Sequence, residues 1–153
     1  MEDLYHDYKL IRDMRVNIRT KARILSELMA TSPNTWQVVG ITEEALKVFQ
    51  THDFKKGKRM GINRSHYPIG RSKFYSQMLN ADLTEYEGWW RAYCAFDTTI
   101  LATSGENNTN TFSQIFKIDP ALGLFKAQGF AWKHNKAVID FLQKLYNEKI
   151  GNP

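Results

Sequence analysis

The sequence predicts a helix-rich α+β fold with a small antiparallel sheet. Three observations carry that expectation. Apolar residues recur at helical spacing over residues 3–29 and again over 135–149. Short apolar or β-branched runs at 35–40, 62–67, 98–103 and 114–118 are each closed by Gly, Pro or a helix-capping residue. Finally, 153 residues with 42% apolar and 13% aromatic content suffice to bury a core, so residues 1–153 are expected to form a single domain.

The elements follow in order. Leu4, Tyr8, Ile11, Ile18, Ala22, Leu25 and Met29 place one apolar face on a long amphipathic helix over residues 1–30. Arg12, Arg15, Arg19 and Arg23 fall on the adjoining face without interleaved acids. Such a stripe fits phosphate contact as well as it fits a solvated basic surface. Thr31-Ser32-Pro33-Asn34 ends the helix. Trp36, Val38 and Val39 lie in a strand, and Thr42 caps a helix through about Phe49, with Glu43 and Glu44 favouring its N-terminus. Residues 55–59 read Lys-Lys-Gly-Lys-Arg, a flexible basic loop. A strand from Ile62 to Tyr67 is closed by Pro68 and Gly70, and residues 72–79 are helical. Thr84 and Glu87 have capping-box spacing for a helix through Ala95, with Trp89, Trp90 and Tyr93 as core bulk. Residues 98–103 form a strand ended by Ser104-Gly105, and a helix starts near Glu106. Gln114 to Ile118 form a further strand, Asp119-Pro120 and Gly123 mark turns, and the last helix turns Val138, Phe141, Leu142 and Leu145 inward.

Bulk properties narrow the function. Lys plus Arg total 21 against 16 Asp plus Glu, a net charge of +5 that favours a polyanionic partner. The single cysteine, Cys94, leaves no intramolecular disulfide and no cysteine-built metal cluster, which points to a reducing cell interior, hence a cytoplasmic location. No apolar run approaches the ~20 residues that span a bilayer, and residues 1–20 are studded with charge, so neither a membrane partner nor a signal peptide is expected. The chain has no phosphate-cradling Gly-rich loop and no Gly-x-Ser-x-Gly elbow. Asp97, Glu106 and Asp119 are too scattered for a nuclease built on clustered carboxylates and a lysine.

Two positions carry the chemistry. His66 ends a strand two residues after Arg64, and Lys55, Lys56, Lys58, Arg59, Arg71 and Lys73 surround it in sequence. A neutral imidazole among cations suits a general base beside a bound phosphate; a structural histidine is the plainer alternative. Asn107 sits in Glu-Asn-Asn at a helix start, where an amide oxygen suits either a hard cation or an ordinary helix cap. His134 begins the last helix and suits a capping or surface role better than a DNA contact, while His6 and His52 carry no pattern.

Asn63-Arg64-Ser65-His66 resembles the Asp-Arg-Gly-His motif of ββα-metal nucleases, and Asp97 to Asn107 resembles the second half of an HNH nuclease. The resemblance covers roughly residues 60–110 and extends to small phage-type homing endonucleases. It implies a ββα-metal-like core and an endonuclease that hydrolyses double-stranded DNA with Mg²⁺ or another divalent cation. By that resemblance His66 is the general base and Asn107 the metal ligand. Arg64 or Arg71 would clamp a phosphate. Arg12, Arg15, Arg19, Arg23, Lys55, Lys56, Lys58, Arg59 and Lys73 would position the backbone. This chain departs from the pattern at Ser65, where such enzymes carry an acidic metal ligand, and at Thr98, where they carry an asparagine that orients the base. The separation of His66 from Asn107 requires the helices at 72–79 and 84–95 to be inserted between the two strands. The alternative is a non-catalytic DNA-binding protein or regulator using the same basic surface, and a third class is an interaction protein without nucleic acid. Assembly into a homo-oligomer is compatible with each. Catalysis requires that the His66 ring and the Asn107 side-chain oxygen face one solvent-open spot.

Overall fold

The computed structural model describes residues 2–30, 32, 35–57 and 59–151. Lys58, and Thr31, Pro33 and Asn34 of the expected helix break, lie outside the described residues. The fold is α+β and helix-rich, as the sequence predicts. Helices α1 (Glu2–Asp13) and α2 (Ile18–Ala30) lead into strand β1 (Gln37–Thr42) and helix α3 (Glu43–Thr51). Strand β2 (Ile62–His66) is followed by α4 (Arg71–Asn80) and α5 (Tyr86–Phe96), then by β3 (Thr98–Thr103) and α6 (Ser104–Thr109). Strand β4 (Ile115–Lys117), a hairpin of β5 (Ala127–Gln128) and β6 (Ala131–Trp132), and α7 (Lys136–Tyr146) complete the chain, with one π-helical turn at Asn147–Gly151.

The main sheet has strand order β2-β3-β1-β4. It is mixed rather than antiparallel: β2 with β3 and β1 with β4 run antiparallel, but β1 and β3 run parallel. A parallel pair needs a long crossover, and α3, β2, α4 and α5 together provide it. Gly40 is obligatory at the β1–β4 contact, because a Cβ there would stand 2.8 Å from Ile115 Cγ2 and 3.2 Å from the Phe116 carbonyl. Thr42 ends β1 and caps α3, accepting from the Ala45 amide at 3.1 Å.

Two clusters of buried side chains result. One joins the sheet to α3 and α7 through Val38, Ile41, Leu46, Phe49, Leu101, Phe116, Val138 and Leu142. The other is aromatic and lies among α1, α2, α4 and α5, with Tyr8, Leu25, Met29, Phe74, Tyr75, Trp89 and Tyr93. Among the described residues no helix is long and apolar enough to cross a membrane.

The expected long first helix is two. α1 ends at Asp13, and Asn17 restarts the chain as α2, its side chain accepting from the Thr20 amide at 2.9 Å. A short polar side chain that captures a backbone N–H favours a helix start over a helix interior. The bend lets α1 pack on α2 and α5 while α2 packs on α4, so the apolar stripe is buried on both helices except at Ile18, which the bend leaves exposed. α5 likewise differs from expectation. It starts at Tyr86 after Glu85, with no side-chain cap, and the Thr84 carbonyl instead accepts the Tyr5 hydroxyl.

Candidate functional site at the edge of β2

β2 is an edge strand whose ladder partner is β3. Along an extended strand successive side chains alternate between faces, which separates Arg64 and His66 from Asn63 and Ser65. β3 runs directly into α6. Thr103 accepts from the Glu106 amide at 3.2 Å while the Glu106 carboxylate accepts from the Thr103 amide at 2.9 Å. Strand, strand and helix therefore occur in the expected order, with α4 and α5 inserted between the strands. α6 covers the Asn63–Ser65 face: Asn63 Nδ2 donates to Ser104 Oγ at 3.0 Å, and Ser65 Oγ donates to Asn107 Oδ1 at 2.6 Å. Thr103 caps α6, so Asn107 is not the cap.

His66 lies on the other face. Its Nε2 is 2.9 Å from Oδ1 of Asp97, and the two side chains are 2% and 1% exposed. The Asp97 carboxylate also accepts from the Tyr75 hydroxyl at 3.2 Å and from the Trp36 amide at 3.2 Å, while Trp36 Nε1 donates to the Tyr75 oxygen at 2.9 Å. Burial and the neighbouring Asp97 push the Tyr75 hydroxyl far above its ordinary range, which keeps it a donor. A carboxylate can only accept, so Nε2 carries the hydrogen. Trp36 packs edge-on against the imidazole at 4.5 Å and Phe74 lies alongside at 6.2 Å, fixing the ring plane. The orienting group is thus Asp97. Thr98, which the motif comparison places in that role, donates its hydroxyl to the Tyr67 carbonyl at 2.6 Å instead. The antiparallel register of β2 on β3 makes the partnership: His66 pairs with Thr99, which sets Asp97 just beyond the ladder.

Arg64, expected to clamp a phosphate, borders the same opening as His66 but has its guanidinium engaged by the fold. It is buried, and its guanidinium donates to the carbonyls of Phe130 and Trp36, at 3.2 Å each, and of Gly129. It also lies over the Trp36 ring at 5.0 Å. Burial brings its pKa down to about 10, against the pull of Asp97. Lys56 is also committed to structure: its ammonium donates to the Trp132 carbonyl at 3.3 Å and sits 4.2 Å from that ring centre. Lys55, Arg59 and Lys73 are exposed. Arg12 pairs with Asp13 at 3.3 Å on α1, Arg15 is exposed in the bend, and Arg19 and Arg23 are exposed on α2. The four arginines therefore do not form one stripe on one helix, because the chain bends between them.

His66 and Asn107 approach β2 from its two faces yet line one cavity of about 400 Å³ at the open edge of the strand, together with Arg71 and Asn63. The Asn107 oxygen is turned to Ser65 on the opposite face of β2 and the imidazole is 2% exposed, so ring and oxygen line one cavity without facing one open spot, as catalysis was expected to require. Arg71 is exposed at the start of α4. Asn107 Oδ1 faces Ser65, which leaves the amide N–H donors of its side chain free to turn to the cavity.

The donor set does not fit a resident Mg²⁺. Among the described residues no carboxylate lines the cavity, and of its three asparagines, Asn63, Asn107 and Asn110, Asn107 already has its oxygen accepting from Ser65. Among the described residues no three His, Cys, Asp or Glu side chains cluster as metal ligands. Such ions are normally held through one or two carboxylates besides water and substrate phosphate. Glu106 is near in sequence but occupied. Burial would push its carboxyl up, yet bonds from Ser113 Oγ at 2.6 Å, the Ser113 amide at 2.9 Å, the Thr103 amide and Thr42 Oγ1 bring it down to about 2.

Comparison of the chain with family models, with curated proteins and with solved structures gives no match.

Proposed function

We propose that the chain grips the phosphodiester backbone of DNA at the edge of β2 and hydrolyses it there, as an endonuclease with the strand–strand–helix order of the ββα class. One observation carries the proposal. An imidazole pinned by Asp97 through Nε2 shares a single open cavity with an exposed arginine and an asparagine from α6.

His66 Nδ1 takes a proton from water as the water oxygen bonds to phosphorus and the bond to the leaving oxygen breaks. The leaving alkoxide then takes a proton from solvent. The charge gained by the ring is stabilised by the Asp97 carboxylate 2.9 Å away. Arg71 faces the phosphate and offsets the charge that accumulates on its non-bridging oxygens, and the Asn107 amide donates to one of them. No step depends on a bound cation, since this chain's donor set does not hold one.

A second function, DNA binding without hydrolysis, is favoured by the near-complete burial of the imidazole. A plasmid-nicking assay with and without Mg²⁺, run beside a DNA-binding titration, separates the two. His66→Gln should lose nicking while keeping DNA affinity at a temperature where its melting profile shows it folded. Equal single-turnover rates for the variant and wild type would remove His66 as base. Wild-type protein that binds DNA and never nicks it would leave the non-catalytic function.

A further inference from the structure

We infer that the groove between α2 and the start of α4 is a second anion site, which takes phosphates of the same nucleic acid on the stretch flanking the His66 cavity. The inference rests on the proposed nucleic-acid partner but not on hydrolysis.

Packing creates the groove. Ala22, Leu25 and Met29 of α2 are buried with Phe74, Tyr75, Met78 and Leu79 of α4 in one cluster. This contact brings Arg19 and Arg23, one turn apart on α2, alongside Arg71, the first residue of α4. The three guanidinium groups line an open groove of about 790 Å³ with the Thr20 and Ser72 side chains. One carboxylate, Glu27, shares it and pairs with Arg23 at 3.0 Å. Among the described residues, Arg19 and Arg71 make no ion pair and no side-chain hydrogen bond. The fold spends Arg64 on three carbonyls, whereas Arg19 and Arg71 have no such partner among the described residues. Gathering like charges is unfavourable, and an anion among them reverses the sign.

Geometry selects a polymer. Arg71 lines both the groove and the His66 cavity, so the two openings adjoin and one guanidinium serves both. A lone phosphate would occupy one opening. A chain of phosphates spans them, and each contact releases condensed counterion. A flat anionic bilayer would meet the rim of a concave groove, not its lining.

The test is an anisotropy titration of a labelled DNA duplex at several salt concentrations, with wild type and the double variant Arg19→Gln plus Arg23→Gln. Cosedimentation with phosphatidylserine vesicles runs alongside. Both arginines are exposed on α2, so the variant should melt as wild type does. The log–log salt dependence of affinity should shallow by about two units, roughly 0.9 for each lost phosphate contact. An unchanged slope would overturn the inference, as would wild-type protein that binds vesicles but not duplex. A shallower slope from a protein that never nicks DNA would uphold the groove and remove hydrolysis. Nicking that needs His66, with an unchanged slope, would do the reverse.

Discussion

Nε2 of His66 and Oδ1 of Asp97 lie 2.9 Å apart with both side chains almost fully buried, and they tie the last residue of β2 to the residue that precedes β3. The carboxylate serves three donors at once: the imidazole, the Tyr75 hydroxyl and the Trp36 amide. Removing one member of a buried, hydrogen-bonded set costs far more than the set contributes over an apolar replacement, because the orphaned groups stay buried.

Asp97→Ala should therefore destabilise the fold by about 3–5 kcal/mol in urea titrations. Asp97→Asn keeps an acceptor for Tyr75 and Trp36 and should cost less, about 1–3 kcal/mol. It also confronts the imidazole with an amide, which can favour the other tautomer, so nicking should fall more than stability does. An alanine variant within about 1 kcal/mol of wild type would show that the pair contributes little.

Arg64→Lys tests whether the guanidinium is structural. An ammonium on a flexible stem cannot reproduce a planar fork that reaches the carbonyls of Trp36, Gly129 and Phe130. A loss of about 2–3 kcal/mol is expected from carbonyls left without a donor. Amide exchange at Lys133, which bonds the Lys126 carbonyl beside the β5–β6 hairpin, should quicken in step. Full stability with slowed nicking would return Arg64 to a phosphate-binding role.

His134 gives the stability a pH dependence near neutrality. Burial lowers its pKa, opposed by the bond to the Phe54 carbonyl and reinforced by Lys56. In the neutral ring Nε2–H donates to Phe54 at 2.8 Å while Nδ1 accepts from Trp132 Nε1 at 3.2 Å, and protonating Nδ1 breaks the second bond. A folded value below the unfolded 6.5 means the contribution is whole above 6.5 and erodes as pH falls through the lowered folded value. Thermal melts from pH 8 to 5 should show that erosion in wild type and a flatter profile in His134→Gln.

Glu106 acts in a lower window. Its carboxyl is held at about 2 against an ordinary 4.5, so its contribution is present above 4.5 and lost as pH falls toward 2. Glu106→Gln should lower the melting temperature at neutral pH, and that difference should shrink steadily below pH 4.5. A constant difference across the range would locate the effect in packing.

Strong local signals were legible in the sequence. The Thr42 cap, the punctuation around β2, and the apolar stripe of α7 each sit within a few residues. The strand–strand–helix order and the helices inserted between the strands were legible too. The partnership of His66 with Asp97 was not, because it depends on a β2–β3 register set across the intervening helices. Nor was the use of Arg64: the carbonyls it binds lie around strands of two residues, too short for alternation to reveal. The bend at Asn17 was hidden for a different reason. Both halves of the apolar stripe keep helical spacing across it, so the periodicity runs on where the helix does not.

The chain leaves the sheet at His66, builds α4 and α5, and returns at Asp97, so departure and return are clasped by the His66–Asp97 bond and by the two bonds between Tyr67 and Thr98. α4 reaches that clasp from both ends of one helical turn. Arg71 opens into the cationic groove, and Tyr75, four residues on, holds the Asp97 carboxylate. Arg71 and Tyr75 share one turn of α4, so the groove and the neck of the inserted segment are held by the same short stretch of helix.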